Sequence, residues 1–137
     1  MKTELRREIA ALDELFAWVD QFAASAGLRE KDVFDAKLAA EELFTNMVKH
    51  NPRGRDRITV SLDRDGDRLV LRVRDDDVDR FDGSLVTPVD LKHHLGNHEI
   101  GGLGLHLVRS VMDRLSFEHE AGVLSVTAVK ELEGEDV

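Results

Sequence analysis

Three glycines, Gly101, Gly102 and Gly104, lead directly into a predicted amphipathic helix. Because glycine has no Cβ, the backbone there can approach a ligand closely and can adopt positive φ. A helix that follows offers unpaired N–H groups and the positive end of its dipole, which together favour phosphate. The same pattern is typical of a plain loop-to-helix junction. By itself it therefore favours a phosphate site only slightly.

A carboxylate and an amide, Glu42 and Asn46, lie four residues apart within the largely apolar segment 38–48. On a helix this spacing places both side chains on one face, one turn apart. Such a pair can hold a water or hydroxyl beside a hard divalent cation. An exposed polar strip has the same spacing, and the pair alone favours that simpler interpretation.

A third candidate, Asp75, continues by one step the alternation of Leu69, Leu71 and Val73. If the alternation extends to Asp75, its carboxylate faces the core and needs a hydrogen-bond donor. The exocyclic amine of adenine is one such donor. If the alternation ends earlier, residues 75–77 are the three aspartates of a solvated turn. The spacing alone favours the turn somewhat.

The periodicity of apolar residues predicts two helices and a hairpin before these aspartates. Three- and four-residue steps predict a first helix from Leu5 to about Ala23, with Thr3 as its N-cap. A second helix is predicted from about Asp32 to His50. Alternating residues in segments 58–62 and 69–73, with a polar, glycine-containing turn between them, predict a β-hairpin.

The second half of the chain is predicted to contain a long loop, a helix and a second hairpin. Residues 76–100 show no period, and loops of this length are usually lids or binding segments. A helix is predicted from about Gly102 to Leu115, followed by strands over 115–118 and 123–132 that turn at 120–122. The order of elements predicts an α+β fold, with helices on one face of a mostly antiparallel sheet.

The bulk composition limits the classes of function. With 137 residues, of which 42% are hydrophobic and 34% charged, the chain has the composition of one soluble globular domain. A net charge of -9 argues against nucleic acid as the main partner. There is no cysteine, no apolar run of membrane-spanning length and no pattern of a signal peptide at the start. We therefore expect a cytoplasmic protein without direct nucleic-acid or membrane partners.

The three candidate features occur in an order that resembles a known nucleotide site. Glu42-x-x-x-Asn46, a strand-terminal Asp75, a long loop and the segment 102–105 resemble the GHKL ATPase fold. Residues 40–50 and 100–113 resemble the N box and G2 box of the anti-sigma-factor serine kinases in that superfamily. The resemblance covers nearly the whole chain. It implies a two-layer α/β sandwich as a single domain over 1–137, with an ATP-lid-like loop over about 76–101.

The resemblance also implies a role for each candidate residue. Glu42 falls at the position of the general base, Asn46 at the Mg²⁺ ligand beside the nucleotide, and Asp75 at the adenine-binding aspartate. Gly102 and Gly104 fall in the loop on the phosphate side. The family role implied is an ATP- and Mg²⁺-dependent protein serine/threonine kinase. Such a kinase phosphorylates a STAS-domain anti-anti-sigma protein, sequesters a sigma factor and can form a homodimer.

The first glycine box departs from the family pattern Asp-x-Gly-x-Gly. Asp77 and Asp79 stand where the glycines would be, and a Phe-Asp pair at 81–82 resembles the pair that follows the box. Alignment on that pair would move the adenine position from Asp75 to Asp76. Aspartate resists the φ values that glycine allows and adds negative charge near an anionic nucleotide. The alternative is a non-catalytic partner-switching module of the same fold with weak or lost nucleotide binding.

Overall fold

The computed structural model of the chain describes residues 1–51, 54, 57–77 and 105–132. Within this part the strands and helices, in chain order, are β1 (Lys2–Leu5), α1 (Leu12–Ala26), α2 (Glu30–His50), β2 (Ile58–Asp65), β3 (Arg68–Asp75), α3 (Leu105–Val111), β4 (Arg114–Glu120) and β5 (Val123–Glu131). A short 3-10 turn, Ile9–Ala11, leads into α1.

The strands form one antiparallel sheet in the order β1–β2–β3–β5–β4. Both hairpins predicted from the sequence are confirmed, with turns at residues 66–67 and 121–122. The order puts β3 at the centre of the sheet, between β2 and β5. Asp75, the last residue of β3, is therefore flanked by Ile58 on one side and Leu124 on the other.

Helices cover one face of the sheet, which confirms the predicted α+β sandwich. On β2 the side chains of Ile58, Val60 and Leu62 are fully buried toward the helices. Thr59 and Ser61 alternate with them and line an open polar groove on the other face. The period-2 pattern of the strand thus separates the core from the solvent-facing side.

Helix α2 lies at the centre of the helical layer. Its small residues Ala36, Ala39 and Ala40 are fully buried, which allows the helix backbone to approach its neighbours closely. One turn further on, Leu43 and Phe44 fill the core. The predicted helix over 32–50 is confirmed, and it begins two residues earlier, at Glu30. No helix in the described part of the chain is long and apolar enough to cross a membrane.

The first helix begins later than the periodicity predicts. Residues 2–5 form an edge strand paired with β2, so Thr3 lies in a strand and does not cap a helix. Ile9, expected on the buried stripe, is 46% exposed, whereas Leu15, outside that stripe, is fully buried. Apolar steps alone could not separate a four-residue strand from the start of a helix, and pairing with β2 decided between them.

The helix before the second hairpin ends earlier than predicted. Helix α3 ends at Val111 and β4 begins at Arg114, so Leu115 belongs to a strand. The backbone N–H of Asp113 donates to the Val129 carbonyl at 2.8 Å. This contact with β5 takes the chain out of the helix. The predicted start of that helix, Gly102, lies outside the described residues.

The C-cap of α1, Gly27, provides a test of the backbone conformation at that helix end. Its φ of 68° lies in the left-handed region, and no described atom lies within 4 Å of the place where a Cβ would stand. We expect Gly27→Ala to lower the free energy of unfolding by about 1 kcal/mol through backbone strain alone. Urea unfolding measures the loss. Gly27→Asn should lose less, because asparagine tolerates this conformation; equal losses would contradict the argument.

Candidate functional site

Helix α2 carries Glu42 and Asn46 on one face, as the spacing predicts. The helix is continuous from Glu30 to His50, so the two side chains lie one turn apart. Both are half-buried, whereas Leu43 and Met47, the residues that follow each of them, are buried in the core. The pair therefore lies at the edge of the core, where its oxygens are accessible to a ligand.

The environment of Glu42 makes its carboxylate more basic. Burial raises the pKa of the Glu42 carboxyl, and the neighbouring Glu41 carboxylate raises that pKa further. Lys49 acts in the opposite direction without cancelling the other two effects. The net pKa lies above the ordinary value of a glutamate. A raised pKa suits a residue that accepts a proton near neutral pH.

Thr45 adds a hydroxyl to the same region of α2. Its Oγ1 is buried and has no hydrogen-bond partner among the described residues. Thr45 is three residues from Glu42, so the two share a side of the helix. A buried hydroxyl without a partner is unusual, and a bound ligand oxygen would satisfy it. Thr45, Asn46 and Glu42 thus form a set of groups that fits a hydrated cation and phosphate oxygens.

The Asp75 carboxylate lies on the core side at the end of β3, where it is 1% exposed. The guanidinium of Arg7 forms two hydrogen bonds to it, from Nη1 to Oδ2 at 2.7 Å and from Nη2 to Oδ1 at 2.6 Å. The backbone N–H of Asp77 donates to Oδ1 at 3.0 Å, and Asn51 Nδ2 approaches Oδ2 at 3.5 Å. The alternation of β3 therefore does extend to Asp75, and the solvated-turn interpretation is wrong for this residue.

These donors determine the ionisation of Asp75. Burial alone raises the pKa of its carboxyl, but hydrogen bonds from Arg7, the Asp77 N–H and Asn51, together with the charge of Arg7, outweigh burial. The net pKa lies below the ordinary value of an aspartate. Asp75 is therefore a carboxylate at neutral pH, paired within the chain.

Arg7 is itself held between two other segments. Its side chain is only 5% exposed, and Nη1 also donates to the backbone carbonyl of Asn51, the C-cap of α2, at 3.3 Å. Gly54 packs directly on the guanidinium, so a Cβ at position 54 would clash with the Arg7 side chain. Arg7 therefore joins the N-terminal segment, the end of α2 and the end of β3.

The sequence-based reasoning missed Arg7 because it placed this residue in the first helix. The alternation along β1 is a signal that could have found Arg7. In β1, Thr3 and Leu5 point toward the covered side of the sheet while Lys2 and Glu4 are exposed. Continuing that alternation by one step puts Arg7 on the same side as Asp75. The same period-2 alternation brings Asp75 to the covered side at the end of β3.

The two aspartates considered for the adenine position lie in different environments. Asp76 is 40% exposed and forms an ion pair with Arg74 at 2.6 Å, beside the open face of the sheet. Asp75 alone of the two is buried on the covered side. Gly102, Gly104 and Asp79, with the rest of residues 78–104, lie outside the described part of the chain.

Of the two ends of the predicted nucleotide site, the end on α2 fits its predicted ligand, Mg²⁺, whereas the end at Asp75 does not fit the adenine amine. On α2, Asn46 offers an amide oxygen of the kind that Mg²⁺ accepts alongside phosphate oxygens. At the end of β3, Asp75 already accepts donors from the chain on both of its oxygens. In this arrangement the adenine amine does not fit Asp75. No described group of three His, Cys, Asp or Glu side chains could hold a metal ion.

The sequence of this chain matches a known protein family and a characterised relative. Residues 5–130 match the family model described as the histidine kinase-like ATPase domain. The serine-protein kinase RsbW of Staphylococcus aureus (strain MSSA476) is 32% identical over 118 residues. That alignment covers 82% of this chain and 74% of the relative.

Two solved structures share the fold. The RsbU and RsbW domains of Rv1364c from Mycobacterium tuberculosis give a TM-score of 0.65 at 19% identity, covering 96% of this chain and 32% of that one. This chain thus spans about a third of that solved chain. A chain of the SiaB–SiaC complex from Pseudomonas aeruginosa gives a TM-score of 0.68 at 18% identity, covering 94% and 88%. At these identities the likeness shows the fold alone.

The lowered pKa of Asp75 predicts a component of acid unfolding. Because this pKa is lower in the folded than in the unfolded state, the stability that it contributes is complete above the unfolded-state pKa. That stability is lost as the pH falls toward the folded-state pKa. Asp75→Asn should therefore flatten the fall in unfolding free energy between about pH 5 and pH 2, measured by urea unfolding at each pH. Asp65→Asn removes an exposed carboxylate and should leave the slope nearly unchanged; identical slopes in all three proteins would contradict the assignment.

Proposed function

Because this chain belongs to the family of histidine kinase-like ATPase domains, we propose that it is a protein serine/threonine kinase that uses ATP and Mg²⁺. The observation that carries the proposal is the pair of Glu42 and Asn46 on one face of α2, with a raised pKa at Glu42. Phosphoryl transfer requires mainly positioning, charge neutralisation and a proton acceptor. These residues offer a cation ligand and a base at adjacent turns of one helix.

The proposed reaction assigns one task to each residue. Glu42 accepts the proton of a serine hydroxyl as that oxygen bonds to the γ-phosphorus; the bond from γ-phosphorus to the bridging oxygen breaks and ADP leaves. Asn46 gives an oxygen ligand to Mg²⁺, and the bound ion would offset phosphate charge. The buried Thr45 hydroxyl donates to a phosphate oxygen. Gly102 and Gly104 close over the triphosphate, and Asp75 accepts the adenine amine once it is free to do so.

The proposed partners follow from the family role. The acceptor serine lies on a STAS-domain anti-anti-sigma protein, and in its unphosphorylated form this protein competes with a sigma factor for the kinase. A relative named as the serine-protein kinase RsbW supports protein phosphorylation, and a similar fold occurs in a two-protein complex, SiaB–SiaC. Cytoplasmic location and pairing of two copies of the chain belong to the same proposal.

A second candidate function has its own support in the structure. The chain could act as a partner-switching module without catalysis, because Asp75 is engaged by Arg7 and Asp77 replaces the first glycine of the box. In that role the fold binds a protein partner and nucleotide binding is weak or lost. Nucleotide titration separates the two functions.

Calorimetric titration with a non-hydrolysable ATP analogue tests the nucleotide site. We expect Mg²⁺-dependent binding, and we expect Asn46→Ala to weaken it at least about tenfold in Mg²⁺ because a metal ligand is lost. With EDTA in place of Mg²⁺ the two proteins should bind the analogue equally weakly. No heat and no thermal shift at millimolar analogue would exclude the kinase and favour the binding module.

Transfer of radiolabelled phosphate to a STAS-domain protein tests the base. Glu42→Gln should keep the affinity for the ATP analogue and lower the transfer rate at least about a hundredfold, because the proton acceptor is lost. Glu41→Gln is the matched control, since it removes the same charge one residue away and keeps the base. Transfer by Glu42→Gln at the rate of the control would exclude Glu42 as the base.

The same assay has an expected pH dependence. Transfer should slow as the pH falls through the Glu42 pKa, because only the ionised carboxylate accepts a proton. In Glu41→Gln this acid limb should move to lower pH, because the Glu41 charge raises the pKa of Glu42. An acid limb at the same pH in both proteins would argue that another group controls it.

A further inference from the structure

Both oxygens of the Asp75 carboxylate already accept close hydrogen bonds from the chain. An ionised carboxylate offers about four lone-pair directions on its two oxygens. Oδ1 accepts from Arg7 Nη2 and from the Asp77 N–H, while Oδ2 accepts from Arg7 Nη1 and faces Asn51 Nδ2. All four donors come from the chain itself. A ligand amine that approaches Asp75 from the side held by the guanidinium must displace Arg7.

Among the described donors to Asp75, Arg7 alone bonds both oxygens of the carboxylate, and it therefore competes most directly with an external donor. Its guanidinium donates from Nη1 and Nη2 to the two oxygens of the carboxylate, and such a two-bond pairing gives strong and directional recognition. It reaches Asp75 across 68 positions of sequence and lies under Gly54, with 5% of the side chain exposed. The guanidinium therefore occupies the donor side of Asp75 as a bound base would.

We propose that Arg7 is an internal competitor of the nucleotide base for Asp75. When Arg7 is paired, the adenine end of the site is closed, and adenine binds only after the guanidinium has left. This inference rests on the proposed nucleotide-binding function and adds the regulation of that same site. The apparent affinity for ATP is then the intrinsic affinity multiplied by the fraction of molecules in which Arg7 has left Asp75.

The local structure allows this exchange without unfolding the sheet. Arg7 lies after the last residue of β1 and before the 3-10 turn that begins at Ile9. Strand β1 is held by its own pairing with β2, from Lys2 to Leu5. For Arg7 to leave Asp75, the guanidinium must give up its bonds to Asp75 and to the Asn51 carbonyl, but β1 need not unpair from β2. Its neighbours Arg6 and Glu8 are exposed, so the segment borders solvent.

Calorimetry on Arg7→Met, with Mg²⁺ and the non-hydrolysable ATP analogue, tests the competition. We expect the variant to bind the analogue at least about tenfold more tightly than the wild type, since the competing donor is gone. Arg6→Met is the matched control, because it removes the same charge from the adjacent exposed position and should bind as the wild type does. Inorganic tripolyphosphate, which has no base, should bind Arg7→Met no more tightly than it binds the wild type.

A second measurement keeps the inference testable if Arg7→Met does not fold. In the wild type, the NMR signal of the Arg7 Nε–H group is followed during titration with the same analogue. We expect it to move to the position of a solvent-exposed arginine as the nucleotide binds. Nucleotide binding that leaves the Arg7 signal unchanged would overturn the competition.

The outcomes separate this inference from the proposed function. Equal affinity of the wild type and Arg7→Met overturns the competition and leaves ATP binding in place. Failure of both folded proteins to bind the analogue overturns the competition and the kinase proposal together. Tighter binding by Arg7→Met, with the Arg6→Met control unchanged, supports the competition.

Discussion

The buried ion pair between Arg7 and Asp75 is the constraint on which the arrangement around the candidate site depends. A carboxylate at the end of a central strand cannot be left buried without donors. Removing either partner of such a pair typically costs about 3–5 kcal/mol, because the other charge remains buried. The N-terminal segment, the end of α2 and the end of β3 must therefore adopt their positions together.

A second buried ion pair fixes the opposite end of α2. Lys130 of β5 contacts Asp35 at 2.9 Å and donates to the Val111 carbonyl, the last residue of α3, at 3.2 Å. Helix α2 is thus tied to the sheet near its beginning through Asp35 and at its C-cap through Arg7. Glu42 lies between these two attachments. The proposed role of Glu42 as a base requires such a fixed position relative to the substrate.

The two ends of the candidate nucleotide site differ in whether their polar side chains are already paired within the chain. On α2, the side chains of Glu42 and Asn46 are half-buried, and the Thr45 hydroxyl is buried without a hydrogen-bond partner among the described residues. At the end of β3, the carboxylate of Asp75 is engaged by the chain's own guanidinium. The side chain that stabilises this part of the fold is thus the one proposed to bind adenine. If Asp75 has both roles, the stability of the fold and the proposed affinity for nucleotide depend on the same carboxylate.

The sequence by itself determined the parts of the structure that depend on neighbours along the chain. The turn residues predicted both hairpins, and the helical period predicted α2. The four-residue spacing of Glu42 and Asn46 predicted that they share one face of that helix. The alternation along β3 allowed a buried Asp75 but by itself favoured a solvated turn, and the structure decided for burial. The roles of these residues, and of Gly102 and Gly104, remain predictions.

Only the tertiary structure decided which donor Asp75 receives. Arg7 lies 68 positions away, in a segment whose short apolar pattern suits a helix as well as a strand. Its side chain reaches the carboxylate because β1 pairs with β2 and β2 pairs with β3. Local propensity cannot predict that strand pairing. The pairing arises from long-range backbone hydrogen bonds and from the cost of an unpaired buried charge.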